Sequence, residues 1–151
     1  MERKRILVSA CLLGISCRYD GKSKPDSQVI ALAEEYELVP ICPEIYGGLP
    51  TPRTPSERVL EKTLMKDGTD VTENYLRGAR AALSLYRTLG CSAALLKARS
   101  PSCGKGEIYD GSFTATLAAR DGVTAELLLN EGIAVFSECE IAELKKYLDK
   151  R

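Results

Sequence analysis

The chain has no histidine. That excludes a His-based catalytic triad, a His-ligated zinc and an imidazole general base. It has no excess of either charge, with Lys plus Arg and Asp plus Glu at 21 each, so no electrostatic footprint points to nucleic acid or a membrane surface. Its apolar runs are strand-sized, and the segment after Met1-Glu2-Arg3-Lys4-Arg5 is too short for a signal peptide. Close C-x-x-C pairs are missing, which speaks against the common structural zinc sites and a dithiol redox pair. Gly21-Lys22-Ser23 ends like a phosphate-binding loop, but six residues separate it from Gly14 instead of four. No G-x-G-x-x-G follows the first apolar segment, so a dinucleotide site lacks support as well. A soluble cytoplasmic protein is expected. In that reducing compartment the six cysteines read as ligands, catalytic groups or core residues before disulfides.

What is present reads as an α/β fold. At 151 residues the chain is expected to form one domain, 1–151. Arg5 to Ala10 is apolar almost throughout, as a buried parallel strand is. Asp26 is a candidate N-cap for a helix with Val29, Leu32, Ala33 and Tyr36 inward. Leu38 to Ile41 is a second strand, placed at an edge by Pro40. Pro43 to Arg58 holds four of the seven prolines and reads as a long loop. Asp67-Gly68 signals a hairpin turn. Leu76, Ala79, Leu83 and Tyr86 mark a helix stopped by Gly90, and Ser92 to Lys97 a third strand. Asp121 opens a further helix, Ile133 to Phe136 is a fourth strand, and Ser137 to Glu140 has the form of a capping box. Alternating strands and helices predict a mainly parallel sheet with flanking helices, a Rossmann-like three-layer arrangement.

In such sheets ligands bind beyond the carboxyl ends of the strands. Cys11, Cys42 and Cys103 each lie just past a predicted strand, so all three point to that edge. Cys91 precedes a strand and Cys139 opens the last helix; both read as small buried hydrophobes. Cys17 is either a member of the Cys11 pocket or a loop thiol. Ligands scattered over separate loops suit an iron–sulfur cluster, which is large enough to bridge them. Three ligands for a four-iron cluster leave one iron open as a Lewis acid. Zinc with three cysteines and a carboxylate stays open as an alternative.

Ser9-Ala10-Cys11-Leu12-Leu13-Gly14, Arg18-Tyr19-Asp20-Gly21, Cys42-Pro43-Glu44, Gly47 to Arg53 and Lys97 to Gly104 together resemble the thiouracil desulfurase family, across nearly the whole chain. The resemblance implies a [4Fe-4S] cluster on Cys11, Cys42 and Cys103, with substrate sulfur binding the fourth iron. It maps a catalytic glutamate to Glu44 and a catalytic serine to Ser100 or Ser102, Ser100 being favoured. Cys17 falls where the family pattern requires no cysteine, which favours the loop-thiol reading. The implied reaction replaces C=S by C=O in a thiolated pyrimidine, without redox change and with release of sulfide. A carboxylate is the strong general base left to a chain without histidine.

Tyr19, Tyr46 and Tyr109 are loop aromatics able to stack on a pyrimidine. Arg53 and Lys97 are candidates for a substrate carbonyl or phosphate, with a surface ion pair as the plainer reading of each. A small-molecule partner is expected, with no membrane and with nucleic acid not favoured. The sequence does not distinguish a 2-thio from a 4-thio substrate, or base from nucleoside or RNA, and carries no signal for oligomeric state. The second class of function is a non-enzymatic zinc- or iron–sulfur-binding module.

Overall fold

A computed structural model describes residues 2–150. In chain order the elements are β1 (Arg5–Ser9), a 3-10 turn (Ala10–Leu13), α1 (Ser27–Ala31) tightening into a 3-10 turn (Leu32–Glu34), β2 (Glu37–Ile41) and α2 (Pro43–Tyr46). Then come β3 (Ser56–Val59), β4 (Lys62–Met65), α3 (Thr72–Thr88), β5 (Ala93–Leu96), β6 (Ile108–Tyr109) and β7 (Leu117–Ala118). The chain closes with α4 (Val123–Asn130), β8 (Val135–Ser137), a 3-10 turn (Glu138–Glu140) and α5 (Ile141–Asp149).

Four strands form one parallel sheet in the order β2-β1-β5-β8. Ile6, Leu7 and Val8 and all of β5 are fully buried, as central parallel strands must be. Alternation along these strands builds the three layers. Ile6, Val8, Ala93 and Leu95 face Val29 and Leu32 near α1 and Leu144 and Leu148 of α5. Leu7, Ala94 and Leu96 face Ala82 of α3 and Ala125 and Leu128 of α4. The strand order reverses direction between β1 and β5, the position at which such sheets open a crevice. Pro40 lies on edge strand β2, where its missing N–H costs no ladder bond.

Several elements differ from the sequence expectation. Pro43–Arg58 is no continuous loop; it carries α2 and enters β3. The β3–β4 turn falls at Leu60, at φ 55° and without glycine, which is why no turn signal marked it. Asp67-Gly68 instead turns the chain from β4 back to an isolated bridge at Asp70. The buried face of α3 is Tyr75, Gly78, Ala79 and Ala82, while Leu76, Leu83 and Tyr86 are half-buried. Close packing selects small residues there, so apolar periodicity misplaces the face. Ala33 is exposed because α1 tightens before reaching it. α4 starts two residues beyond Asp121, whose carboxylate accepts the Gly106 N–H at 2.7 Å.

The two caps form as expected. Glu140 Oε1 accepts the Ser137 N–H at 3.1 Å, and Ser137 Oγ accepts from Cys139 N–H at 3.2 Å. The Asp26 carboxylate accepts from Gln28 N–H at 2.9 Å and Val29 N–H at 3.2 Å. Asp26→Ala is therefore expected to lower stability by about 1 kcal/mol, read as a shift in urea midpoint at constant m-value. No helix among the described residues is long and apolar enough to cross a membrane.

Candidate active site

Above the β1/β5 switch point lies a cavity of about 590 Å³. Each of the three strand-end cysteines reaches it from a different element. Cys11 sits in the 3-10 turn that ends β1, closed by Gly14 at φ 95°. Cys42 is the extended N-cap residue of α2, with Pro43 at the first helical position. Cys103 follows β5 in a tight turn, where the Ser100 Oγ accepts N–H bonds from Ser102 at 3.2 Å and Cys103 at 3.1 Å.

Two of the three thiols, Cys42 and Cys103, are held protonated in the free chain. Burial pushes the Cys103 thiol up to about 12, against the pull of the Ser9 and Ser102 hydroxyls. Cys42 is raised further still, first by its hydrogen bond with the Cys17 thiol and then by burial. A thiophilic metal centre would displace those protons on binding. Among the described residues no three Cys, Asp or Glu side chains are grouped as one metal ion would need. Cys11, Cys42 and Cys103 all line the one cavity, a soft all-sulfur donor set that fits an iron–sulfur cluster.

Glu44 and the serines are joined in a line. Ser102 Oγ donates to Glu44 Oε2 at 2.8 Å, and the Ser100 and Ser102 hydroxyls lie 2.9 Å apart. A hydroxyl has one proton to give. With the Ser102 proton on Glu44, Ser100 is the donor to Ser102. Ser102 is 2% exposed while Ser100 is half-buried, so Ser100 is the outer hydroxyl of the pair.

Arg53 departs from the surface-pair reading of the sequence. Its side chain is 3% exposed and pairs with Glu44, Nε to Oε1 at 3.0 Å. Its other nitrogens donate to Pro50 O, Thr51 Oγ1 and Cys17 O. The guanidinium is thus a buried strut between the Glu44 and Cys17 segments rather than a surface pair, and it lines the cavity with its nitrogens already donating to protein. Lys97 lines the cavity, but its ammonium pairs with Glu138 at 3.1 Å and donates to Ala98 O at 3.0 Å, which is the plainer of its two readings. Tyr19 stands at the rim, 40% exposed, with the Arg18 guanidinium 5.8 Å from its ring centre. Tyr109 lines the cavity, whereas Tyr46 is 49% exposed and lies outside it.

Other features corrected or missed by sequence reasoning cluster around these. Cys17 is no free loop thiol; it is 4% exposed and lines the same cavity. Cys139 is exposed, and Cys91 half-buried, so neither is a true core residue. Phe113 and Ala115 of the β6–β7 hairpin complete a wall, where Glu57 Oε1 accepts the Gly111 and Phe113 N–H bonds at 2.9 and 3.1 Å. Tyr75 is buried behind Glu44, and its hydroxyl is raised well above the ordinary range by burial and then by the Glu44 charge. Tyr109, read as a loop aromatic, was the one sequence signal for that wall.

α2 is pressed onto α3 through two glycines. A Cβ on Gly78 would lie 1.8 Å from the Pro43 carbonyl oxygen, and one on Gly47 would lie 2.0 Å from that of Asn74. Asn74 Nδ2 donates to Gly47 O at 2.8 Å across the seam.

A family model for 2-thiouracil desulfurase matches residues 6–140. A relative in Bacillus subtilis (strain 168), the uncharacterized protein YbbK, is 40% identical over 149 residues, covering 92% of this chain and 99% of its own length. The solved structure of TudS, named a [4Fe-4S]-dependent thiouracil desulfidase, superposes with a TM-score of 0.94 at 46% identity, over 99% of this chain and 100% of that one.

Proposed function

The chain belongs to the 2-thiouracil desulfurase family, and from that premise we propose that it is a [4Fe-4S]-dependent desulfidase that converts the thiocarbonyl of a thiolated pyrimidine to a carbonyl and releases sulfide. The observation that carries this reading is the meeting of Cys11, Cys42 and Cys103 with the Glu44–Ser102 pair around one cavity. A metal-holding module needs the thiols; it has no use for a carboxylate–serine relay beside them. The net reaction is non-redox, C=S plus water giving C=O plus hydrogen sulfide.

When bound, a [4Fe-4S] cluster would supply a thiophilic Lewis acid for the thiocarbonyl sulfur. Cys11, Cys42 and Cys103 would hold it. Ser100 either positions an attacking water or is itself the nucleophile; in the second case sulfur leaves as sulfide and water then cleaves the carbon–Ser100 Oγ bond, giving the carbonyl and restoring the hydroxyl. Its proton passes to Ser102 and the Ser102 proton to Glu44 Oε2, a carboxylate kept in place by Arg53. The Ser102 and Cys103 N–H groups stabilise the negative charge left on Ser100 Oγ. Tyr19, Tyr109 and Phe113 offer faces for the pyrimidine ring. The substrate is a small molecule of the thiouracil or thiouridine type.

Anaerobic purification is expected to give brown protein with about four irons per chain. It should turn over 2- or 4-thiouracil to uracil and sulfide. Activity should vanish in Cys11→Ser, Cys42→Ser and Cys103→Ser and persist in Cys91→Ala and Cys139→Ala. Colourless protein with stoichiometric zinc and no turnover would reject the reading.

A further inference from the structure

Cys17 is a thiol at the site to which the reaction gives no part. It lines the cavity with the three ligand cysteines and shares an apolar cluster with Cys11 and Cys42. Its backbone is pinned: the carbonyl accepts from Arg53 Nη2 at 3.0 Å and Cys42 Sγ at 3.7 Å, and the N–H donates to Ile15 O at 2.8 Å. A cysteine so fixed has one proton to give. Once Cys11 and Cys42 bind iron as thiolates, their sulfurs become acceptors for it. Hydrogen bonds to ligand sulfurs stabilise the more electron-rich state of a cluster and raise its reduction potential.

Building on the desulfidase reading, we propose that Cys17 is a positioning residue of the iron–sulfur site. It stays a thiol, donates S–H to the ligating sulfurs of Cys11 and Cys42, and holds the cluster against oxidation. The step it opposes is loss of one electron from the cluster to dioxygen, giving superoxide; no bond to Cys17 forms or breaks. A reaction without redox change gains nothing from electron transfer, so a cluster that resists oxidation is the one that survives repeated turnover. Occupation of the fourth iron by Cys17 would instead close the position that the substrate sulfur needs.

The test compares anaerobically purified wild type, Cys17→Ala and Cys17→Ser by iron content, reduction potential and bleaching of the brown absorbance in air. Thermal melting checks that each is folded, and Cys17→Val, which fills the space without a donor, replaces Cys17→Ala if that variant does not fold. All are expected to hold about four irons. Cys17→Ala should show a lower potential and bleach several times faster, while Cys17→Ser, whose hydroxyl keeps a donor, stays near wild type. An unchanged potential in Cys17→Ala, or a Cys17→Ser that behaves like Cys17→Ala, overturns the proposal. So does a Mössbauer spectrum in which Cys17→Ala has one more iron lacking thiolate than wild type, which marks Cys17 as a ligand. Wild type that binds no cluster at all defeats the desulfidase reading itself, before any variant is compared.

Discussion

Glu44→Gln is expected to lower kcat by about 10²–10⁴-fold, the range for removing a positioned general base. The substitution is close to isosteric, so the iron content should hold while turnover collapses. The hydrogen-bond pattern explains why an amide fails. Glu44 accepts at both oxygens, from Arg53 Nε on one and Ser102 Oγ on the other. A glutamine must turn its NH₂ toward one of those donors. It also leaves the Arg53 guanidinium, 3% exposed, without a counter-charge. Removing one partner of a buried pair costs about 3–5 kcal/mol, so thermal melting must accompany the kinetics. The separation is clean below the melting temperature: folded, iron-loaded Glu44→Gln that keeps full activity would end the assignment of Glu44 as base.

Gly78→Ala is expected to damage both stability and catalysis. The added methyl has no room, because the Pro43 carbonyl oxygen would be 1.8 Å away and the obstacle is backbone. α2 must move outward or α3 must bend, at about 1–3 kcal/mol for overpacking. Because Cys42 caps α2 and Glu44 lies in its first turn, the displacement reaches the proposed cluster ligand and the proposed base together. Ser84→Ala on the exposed side of α3 is the control, expected to stay within about 0.5 kcal/mol of wild type. Denaturant melts, iron content and kcat of the two variants make the comparison. A Gly78→Ala protein equal to wild type in all three measurements would show that α2 is not fixed by this seam.

The sheet and its ligand-binding edge were readable because they depend on local pattern. Apolar runs set the strands, and a parallel sheet sends every strand end to the same side, so Cys11, Cys42 and Cys103 were placed together without knowing a single contact. Glu44 was placed beside Cys42 by sequence proximity. What was hidden depends on contacts between distant segments. Arg53 looked like a surface residue until the chain folded it against Glu44 and Cys17. Cys17 looked like a loop thiol because its loop's return to the cavity is fixed by that same arginine, 36 positions on. The buried face of α3 was misread for a related reason: where two helices nearly touch, glycine and alanine replace the leucines that periodicity looks for.

The cysteines, Glu44 and the serine turn are all anchored to strand ends of the sheet or to α2, while Tyr109, Phe113 and Ala115 come from the small β6–β7 hairpin outside it. Part of the cavity wall is thereby carried apart from the residues proposed to do the chemistry. Grafting a different β6–β7 hairpin onto this scaffold offers a route to new acceptor shapes that leaves the bond-breaking apparatus in register.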